Sequence, residues 1–167
     1  MTIIASVKVR DGVVLATDSM SQISTRADGA VTVIKTYCNA RKLFQIGNLP
    51  IGVMSYGIGN IGPRSAENLV LDFGRKLDVN IENKPQTVEN IARGLFKYIK
   101  KAYDETFQGL SDDLKSQLGM GFYISGHDVG DALFSEEWEF ILPTSVDVLR
   151  VRNTKECVSK WTRQAAM

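Results

Sequence analysis

The sequence is poor in the residues on which many catalytic and metal sites depend. Its 167 residues include one histidine, His127, and two cysteines, Cys38 and Cys157. A single histidine excludes a multi-histidine metal site, and the cysteine spacing matches no metal-binding or redox motif. His127 also lies in a polar stretch that is typical of a surface turn, so a histidine-based catalytic triad is not available. We therefore expect a protein with no metal and no cofactor.

Charge of one sign and long apolar runs are also lacking. Twenty lysines and arginines stand against nineteen acidic residues, which gives a formal net charge of +1. This balance provides no electrostatic argument for nucleic acid or an acidic membrane surface as a partner. No apolar run could span a membrane, and the first residues lack the charged and apolar regions of a signal peptide. We expect a cytoplasmic protein, folded as a single domain over residues 1–167.

The first eighteen residues predict a β-hairpin. Residues 2–9 are rich in β-branched side chains, which favour a strand. Asp11 and Gly12 form a turn signal between this run and a second apolar run at residues 13–18. Because that second run is apolar almost throughout, we expect it to lie centrally in a sheet. The organised structure therefore starts at Thr2.

The rest of the chain predicts strands, then two helices, then strands again. Residues 19–30 look like an exposed loop. Pro63 is suited to the first position of a helix, and Thr87 to the N-cap of the next. Apolar residues at helical spacing follow each of them. This order of elements predicts an α+β fold with antiparallel sheets. The predicted strands cover residues 31–34, 43–46, 51–56, 121–125, 132–134, 137–141 and 145–151, and the predicted helices cover 63–77 and 88–102.

Thr2, Asp18 and Lys42 are the candidate catalytic residues. If Met1 is removed, Thr2 carries both a hydroxyl nucleophile and a free α-amine that can act as its base. A nearby ammonium favours the alkoxide, and a buried lysine needs an acidic partner. Asp18 ends the second strand, and Lys42 begins a later one. Lys35 competes with Lys42 but lies in a weaker strand region.

Each of these three residues also has an ordinary structural interpretation. Threonine after an initiator methionine is common and usually has no catalytic role. Asp18 can be an acid that meets solvent at a strand end, and Lys42 a solvated cation at a strand start. Together, however, the three residues form a chemically consistent set. Thr2 supplies the nucleophile and the base, and the pair of Lys42 and Asp18 adjusts their reactivity.

The order of three segments resembles the opening of a proteasome β-type subunit. The segments are Thr2-Ile3-Ile4, then residues 11–18 from Asp11 to Asp18, then residues 41–46 from Arg41 to Ile46. The chain is similar also to the bacterial HslV peptidase, and both belong to the N-terminal nucleophile hydrolases. The resemblance extends in element order to about residue 142, and its specific part is the first sixty or so residues. A bacterial homologue built from β-type subunits only fits this pattern.

The resemblance implies a four-layer α-β-β-α sandwich, with two antiparallel sheets between helix layers, in subunits that assemble into stacked rings. The implied reaction is hydrolysis of peptide bonds in unfolded proteins or peptides, and an ATP-dependent unfoldase is an implied partner. Thr2 would form an acyl-enzyme, and Lys42, held by Asp18, would tune it. Backbone N–H groups near Gly57 would stabilise the oxyanion. The implied lining of the substrate pocket, which would prefer apolar residues, is Ser21, Ala40, Met54 and Ile58.

The sequence departs from the family pattern in ways that leave alternatives open. The loop between Asp18 and Lys42 is longer than usual. After Leu142 the family continues with a Gly-Ser-Gly turn and a second helix pair, and this segment is absent here together with the family's auxiliary serine and acid. Met1, while attached, blocks the mechanism. A catalytically silent ring subunit of the same fold and an N-terminal amidohydrolase for small molecules are therefore alternatives.

Overall fold

The computed structural model describes residues 2–9, 12–27, 30–78, 87–128, 131–152 and 159–164. The first hairpin forms as predicted, although residues 10 and 11 of its turn lie outside the described residues. β1 (Thr2–Val9) pairs antiparallel with β2 (Gly12–Thr17). On its other edge, β1 pairs with β12 (Ser159–Gln164), a strand that the sequence did not predict. The first strand is thus the centre of a three-stranded sheet, and the prediction that the second strand lies centrally was wrong, because β2 is at the edge of this described sheet.

A second, five-stranded sheet contains most of the remaining strands. Its order is β11-β10-β9-β6-β5, and all of its neighbours are antiparallel. β10 joins two segments that the sequence analysis treated as separate strands. The alternation predicted at residues 145–151 gives only a two-residue strand, and Val146 is exposed. The bounds are Leu43–Gln45 for β5, Ile51–Gly57 for β6, Met120–Asp128 for β9, Asp131–Leu142 for β10 and Leu149–Arg150 for β11.

The prediction of a loop at residues 19–30 was wrong from residue 21 to 27 and at residue 30. β3 (Ser21–Ala27) and β4 (Ala30–Tyr37) form a two-stranded hairpin. The polar residues of β3 misled the prediction because the hairpin is largely exposed, so its side chains do not show the alternation of a half-buried strand. Ile23 and Ile34 expose 49% and 65% of their surface.

Three helices are described, and two of them cover one face of the five-stranded sheet. They are α1 (Ala66–Asp78), α2 (Val88–Thr106) and the short α3 (Asp112–Gln117). Thr87 caps α2 as predicted, because its hydroxyl accepts the N–H of Asn90 at 3.2 Å. Pro63 does not start α1. It lies between β7 (Asn60–Ile61) and β8 (Arg64–Ser65), a small hairpin that precedes the helix.

The main core lies between these helices and the five-stranded sheet. The predicted apolar stripes of both helices are buried there against side chains of the sheet. The helix members are Ala66, Leu69, Val70, Phe73, Val88, Ile91, Ala92, Leu95, Phe96, Ile99 and Tyr103. Each fully buried aliphatic side chain of this kind contributes roughly 1.5–3 kcal/mol to the free energy of folding. The helix pair therefore fixes the sheet that carries the later site residues.

The two sheets pack face to face around a smaller cluster of Ile4, Met54, Tyr56 and Tyr123. The structure thus has helix, sheet and sheet layers, in agreement with an α+β fold. The outer face of the three-stranded sheet presents Ile3, Val7 and Val14, which expose 44%, 42% and 64% of their surface. No helix among the described residues covers these side chains. The second helix layer of the predicted sandwich therefore stays a prediction.

Candidate active site

The start of β1 is tied to the end of β2 through Asp18. The Asp18 N–H donates to the Ile3 carbonyl at 3.1 Å, and the Ile3 N–H donates to Asp18 Oδ1 at 2.9 Å. The other carboxylate oxygen accepts the N–H of Met20 at 3.2 Å. These bonds hold the carboxylate beside the first residue of the strand. The first described residues of the chain are therefore fixed in place.

Lys42 reaches this point from the other sheet. It lies directly before β5, where its carbonyl accepts the N–H of Ser55 at 2.8 Å. Its ammonium lies 3.2 Å from Thr2 Oγ1 and 3.2 Å from each carboxylate oxygen of Asp18, and it also donates to the Met20 carbonyl. The structure therefore brings Thr2, Asp18 and Lys42 together.

The low exposure of these residues strengthens the electrostatic interaction between Lys42 and Asp18. Thr2 exposes 8% of its surface, and the side chains of Lys42 and Asp18 expose 11% and 23%. Burial by itself would raise the pKa of Asp18. The backbone N–H of Ile3 and the ammonium of Lys42 outweigh it, so the pKa lies below the ordinary value. The carboxylate is therefore ionised at neutral pH and compensates the buried ammonium beside the Thr2 hydroxyl.

Lys35, the competing lysine, lies elsewhere. It is an exposed residue of β4, and its ammonium lies 4.9 Å from the centre of the Tyr37 ring. That position is a cation–π contact on the outside of the hairpin.

Gly57 ends β6 in a conformation that only glycine adopts readily. Its φ is +88°, and a Cβ atom there would lie 2.2 Å from the carbonyl oxygen of Gly119. The following residue, Ile58, donates its N–H to that same carbonyl at 2.9 Å. The close approach of the two backbone segments explains why a glycine stands here. The oxyanion role of the Gly57 N–H stays a prediction.

The four residues of the predicted substrate pocket have different surroundings. Ser21 follows Met20, and the N–H of Ala40 donates to the Ser19 carbonyl at 2.9 Å, so both flank the cluster along the chain. Met54 is fully buried in the inter-sheet cluster. Ile58 instead packs against the helix-side core. The substrate pocket formed by these four residues stays a prediction.

A second group of buried polar residues was missed by the sequence analysis. Glu137, which is fully buried, is paired with Arg152 and accepts from the hydroxyl of Ser6. Arg152 also donates to Ser6 at 3.1 Å and to the hydroxyl of Tyr123 at 3.3 Å. Ser6 lies on the same face of β1 as Thr2. These contacts join β1 to the five-stranded sheet four residues beyond Thr2.

Two tyrosines border this group, and their environment opposes ionisation. Burial, together with the neighbouring carboxylate of Glu137, raises the pKa of Tyr123 to about 12, although bonds from Arg152 and Ser6 work against this shift. Burial and the carboxylate of Glu139, to which the Tyr56 hydroxyl donates at 2.7 Å, raise the pKa of Tyr56 as well. Both phenols therefore act as neutral hydrogen-bonding groups. The only sequence signal for the network of Ser6, Tyr123, Glu137 and Arg152 is the spacing of Ser6 from Thr2, which puts both on one face of the first strand.

Comparison with solved structures identifies the fold. An Anbu mutant from Hyphomicrobium sp. strain MC1 matches 99% of this chain with a TM-score of 0.60 and 10% identity. Anbu from Yersinia bercovieri, described as an ancestral β-subunit, matches 98% with a TM-score of 0.58 and 10% identity. The chain therefore shares the fold of these Anbu structures.

The comparisons also show how much of each Anbu chain this sequence matches. The chain spans 61% of the length of each of these two Anbu chains. Another Anbu structure from the Hyphomicrobium strain matches 97% of this chain and 60% of its own, with a TM-score of 0.53 and 11% identity. No family model and no curated protein matches the sequence. The likeness to Anbu is therefore one of fold.

Two further findings concern metal binding and membrane spanning. The described residues contain no group of three or more histidine, cysteine or acidic side chains placed to bind a metal ion. Within the same ranges, no helix combines the length and the apolar character that crossing a membrane requires.

Proposed function

We propose that this protein is a threonine peptidase that hydrolyses peptide bonds of unfolded proteins or peptides, with Thr2 as the nucleophile. The observation that carries the proposal is the contact of the buried Lys42 ammonium with both Thr2 Oγ1 and the Asp18 carboxylate. A threonine hydroxyl is a weak nucleophile, and a cation 3.2 Å away favours the charge that develops on its oxygen. Thr2 begins β1, and the Asp18 carboxylate, which accepts the N–H of Ile3, supports the position of this residue.

The base in this proposal is the α-amine of Thr2, which removal of Met1 would free. The amine takes the hydroxyl proton while Oγ1 attacks the carbonyl carbon of the scissile bond. It then passes the proton to the leaving amine, so that the peptide bond breaks and an ester to Thr2 remains. A water molecule attacks the ester, releases the second product and restores the hydroxyl. Lys42 stabilises the oxygen anion.

The same proposal assigns the supporting roles. The N–H of Gly57 stabilises the oxyanion of the tetrahedral intermediate, because a backbone donor next to a left-handed turn needs no reorganisation. Ser21, Ala40, Met54 and Ile58 form the substrate pocket, and their small or apolar side chains favour apolar residues before the cleaved bond.

The assembly is also part of the proposal. A single domain over residues 1–167 would build stacked rings of identical subunits in the cytoplasm, with an ATP-dependent unfoldase as partner. A second helix layer would complete the four-layer sandwich. The apolar side chains of Ile3, Val7 and Val14 on the outer sheet face support that layer, since such a patch is ordinarily covered.

Intact mass and one pair of variants test the peptidase assignment. The mass of the purified protein should show that Met1 has been lost. Thr2→Ala should abolish hydrolysis of a dye-labelled unfolded protein, whereas Thr2→Ser should retain part of it, and both should elute at the wild-type size. Full activity in Thr2→Ala would overturn the assignment. A protein that keeps Met1 and leaves all peptides intact would instead be a silent subunit of the same fold.

A further inference from the structure

A cleft lies between the two sheets at the end of the sandwich remote from Thr2. Its volume is about 510 Å³, within the range of sites for small organic ligands. Gly12 and Val13 line it, and they pair with Val9 and Lys8 at the far end of β1. With eight residues in β1, the two ends lie about 23 Å apart. The Gly12 end of the cleft is therefore remote from Thr2, whereas Leu43, the residue after Lys42, forms the wall nearest to the candidate active site.

The walls of the cleft are mainly aliphatic. Side chains from β2, β5 and the turn before β6 contribute to it, and the described residues that line it carry no carboxylate, ammonium or guanidinium group. The apolar lining consists of Val13, Leu15, Leu43, Leu49 and Ile51. Gly52 leaves the floor open, because a Cβ atom there would lie 2.7 Å from Leu15 Cδ1.

Two polar side chains of β9 also line the cleft, and each has one buried atom without a hydrogen-bond partner among the described residues. The Ser125 hydroxyl and Nδ1 of His127 are both buried, and Ser125 exposes only 1% of its surface. Since the two residues are two apart on a strand, they lie on the same face of the sheet. A buried hydroxyl without a partner costs roughly 1–3 kcal/mol. Two such groups at one apolar cleft indicate a ligand that bonds to both.

The charges nearest to these groups favour an anionic ligand. Ser135 lies directly opposite His127, and its carbonyl accepts a 2.6 Å bond from the buried ammonium of Lys8. Lys8 itself lies directly opposite Val13 of the lining. Glu137, opposite Ser125, is neutralised by Arg152. Lys8 is therefore close to the polar end of the cleft, where the Ser125 hydroxyl and the His127 ring can both donate to acceptor oxygens of a ligand.

We propose that this cleft binds a small aliphatic carboxylate. The carboxylate would accept from the Ser125 hydroxyl and from the His127 ring, and the aliphatic part would lie among the leucine and valine side chains. The proposal assigns a second site and does not rest on the peptidase function. A free fatty acid and the C-terminal carboxylate of a chain that ends in an apolar residue share this chemistry.

Binding of octanoate and N-acetyl-leucine, followed by amide chemical shifts in the full-length protein, tests the site. Both should shift the amides of Ser125 and His127 in a saturable way, and the tighter of the two identifies the source of the carboxylate. Octan-1-ol, which has the chain without the charge, should bind about tenfold more weakly than octanoate, since bonds to a charged group are about twice as strong as neutral ones. Equal binding of octanoate and octan-1-ol would overturn the anionic assignment.

Variants separate a ligand site from a structural role. Ser125→Ala should weaken octanoate binding about tenfold while leaving the urea midpoint of the free protein unchanged or higher, because an unpartnered hydroxyl is removed. Ser135→Ala is the matched control: its hydroxyl is also buried and unpartnered but does not line the cleft. It should bind octanoate as the wild type does. A lower midpoint in Ser125→Ala with unchanged affinity would show a hydroxyl bonded to internal water and would overturn the proposal. So would the absence of saturable shifts.

Discussion

The ammonium of Lys42 lies 3.2 Å from the hydroxyl oxygen of Thr2, although the two residues are 40 positions apart. They belong to opposite sheets, since Thr2 begins β1 and Lys42 directly precedes β5. The contact therefore depends on the relative position of the two sheets. Asp18 completes it by bonding to the backbone of Ile3 and to Lys42 together. A single substitution at Lys42 or Asp18 can therefore break this contact between the two sheets.

Lys42→Met should reduce peptide hydrolysis by about 100-fold or more, because removal of one preorganised charge at a developing oxyanion has an effect of this size. Lys42→Arg should not restore the rate, since the planar guanidinium cannot occupy the same three-bond position. Lys35→Met is the control, because Lys35 is exposed on β4. The measurement is kcat/KM on a fluorogenic peptide. Wild-type rates in Lys42→Met would contradict a role in activation.

Asp18→Asn tests the electrostatic part of the site through pH. The pKa of Asp18 is lowered in the folded protein, so the unfolded chain binds its proton more readily. The ionised carboxylate therefore contributes stability above its unfolded pKa of about 3.8, and this contribution is lost as the pH falls through the lower, folded value. Urea unfolding should show a wild-type advantage over Asp18→Asn at pH 7 that shrinks below about pH 4. An advantage that is constant with pH would contradict the ion pair.

The candidate triad could be predicted from the sequence because each member lies at the end of a strand that is itself clearly marked. The β-branched run after Thr2 and the apolar run before Asp18 fix two of the positions, and the short apolar run after Lys42 fixes the third. Nothing in that local pattern gives the distance between sheets. The resemblance to a known fold predicted that the three residues meet, and the packing of Ile4 against Met54 and Tyr123 brings the two sheets together.

The failed predictions fall where local pattern and tertiary position disagree. Pro63 and its neighbouring glycines suit a helix start, but Ile61 is buried in the main core and pairs with Arg64, so the chain makes a hairpin first. The alternation at residues 145–151 has no sheet partner for most of its length. Glu137 and Arg152 were invisible because a buried charge pair leaves no periodic signal.

Removal of Arg152 should be among the most destabilising changes in the described chain. Arg152→Met leaves the fully buried Glu137 uncompensated, which costs roughly 3–5 kcal/mol. Arg152→Met combined with Glu137→Leu should recover most of this loss. Lys101→Met is the control, since its partner Glu105 and Lys101 itself are both exposed and such pairs contribute about 0–1 kcal/mol. Urea denaturation of the wild type and the three variants measures these effects, and equal effects of Arg152→Met and Lys101→Met would contradict the buried pair.

Alanine substitutions at three glycines separate the two causes of strain expected at Gly57, the left-handed backbone conformation and the steric clash. Gly57 combines a φ of +88° with a clash against the Gly119 carbonyl, whereas Gly109 has a φ of +85° and open space around it. Gly59 has open space and no left-handed φ. Gly109→Ala should therefore cost about 1–2 kcal/mol of folding free energy, from backbone conformation alone. Gly57→Ala should cost more, because the atoms it meets are backbone and cannot turn away, and Gly59→Ala should cost least.

Thermal and urea unfolding of the three alanine variants give this order directly, and hydrolysis by Gly57→Ala relates it to function. If the Gly57 N–H stabilises the oxyanion, a backbone displaced by the Gly119 clash should lower kcat more than it raises KM, because the lost interaction exists only in the transition state. Gly109→Ala should lose stability without such a change in kcat. Equal kcat losses in Gly57→Ala and Gly109→Ala would mean that general destabilisation, and not the oxyanion donor, is responsible.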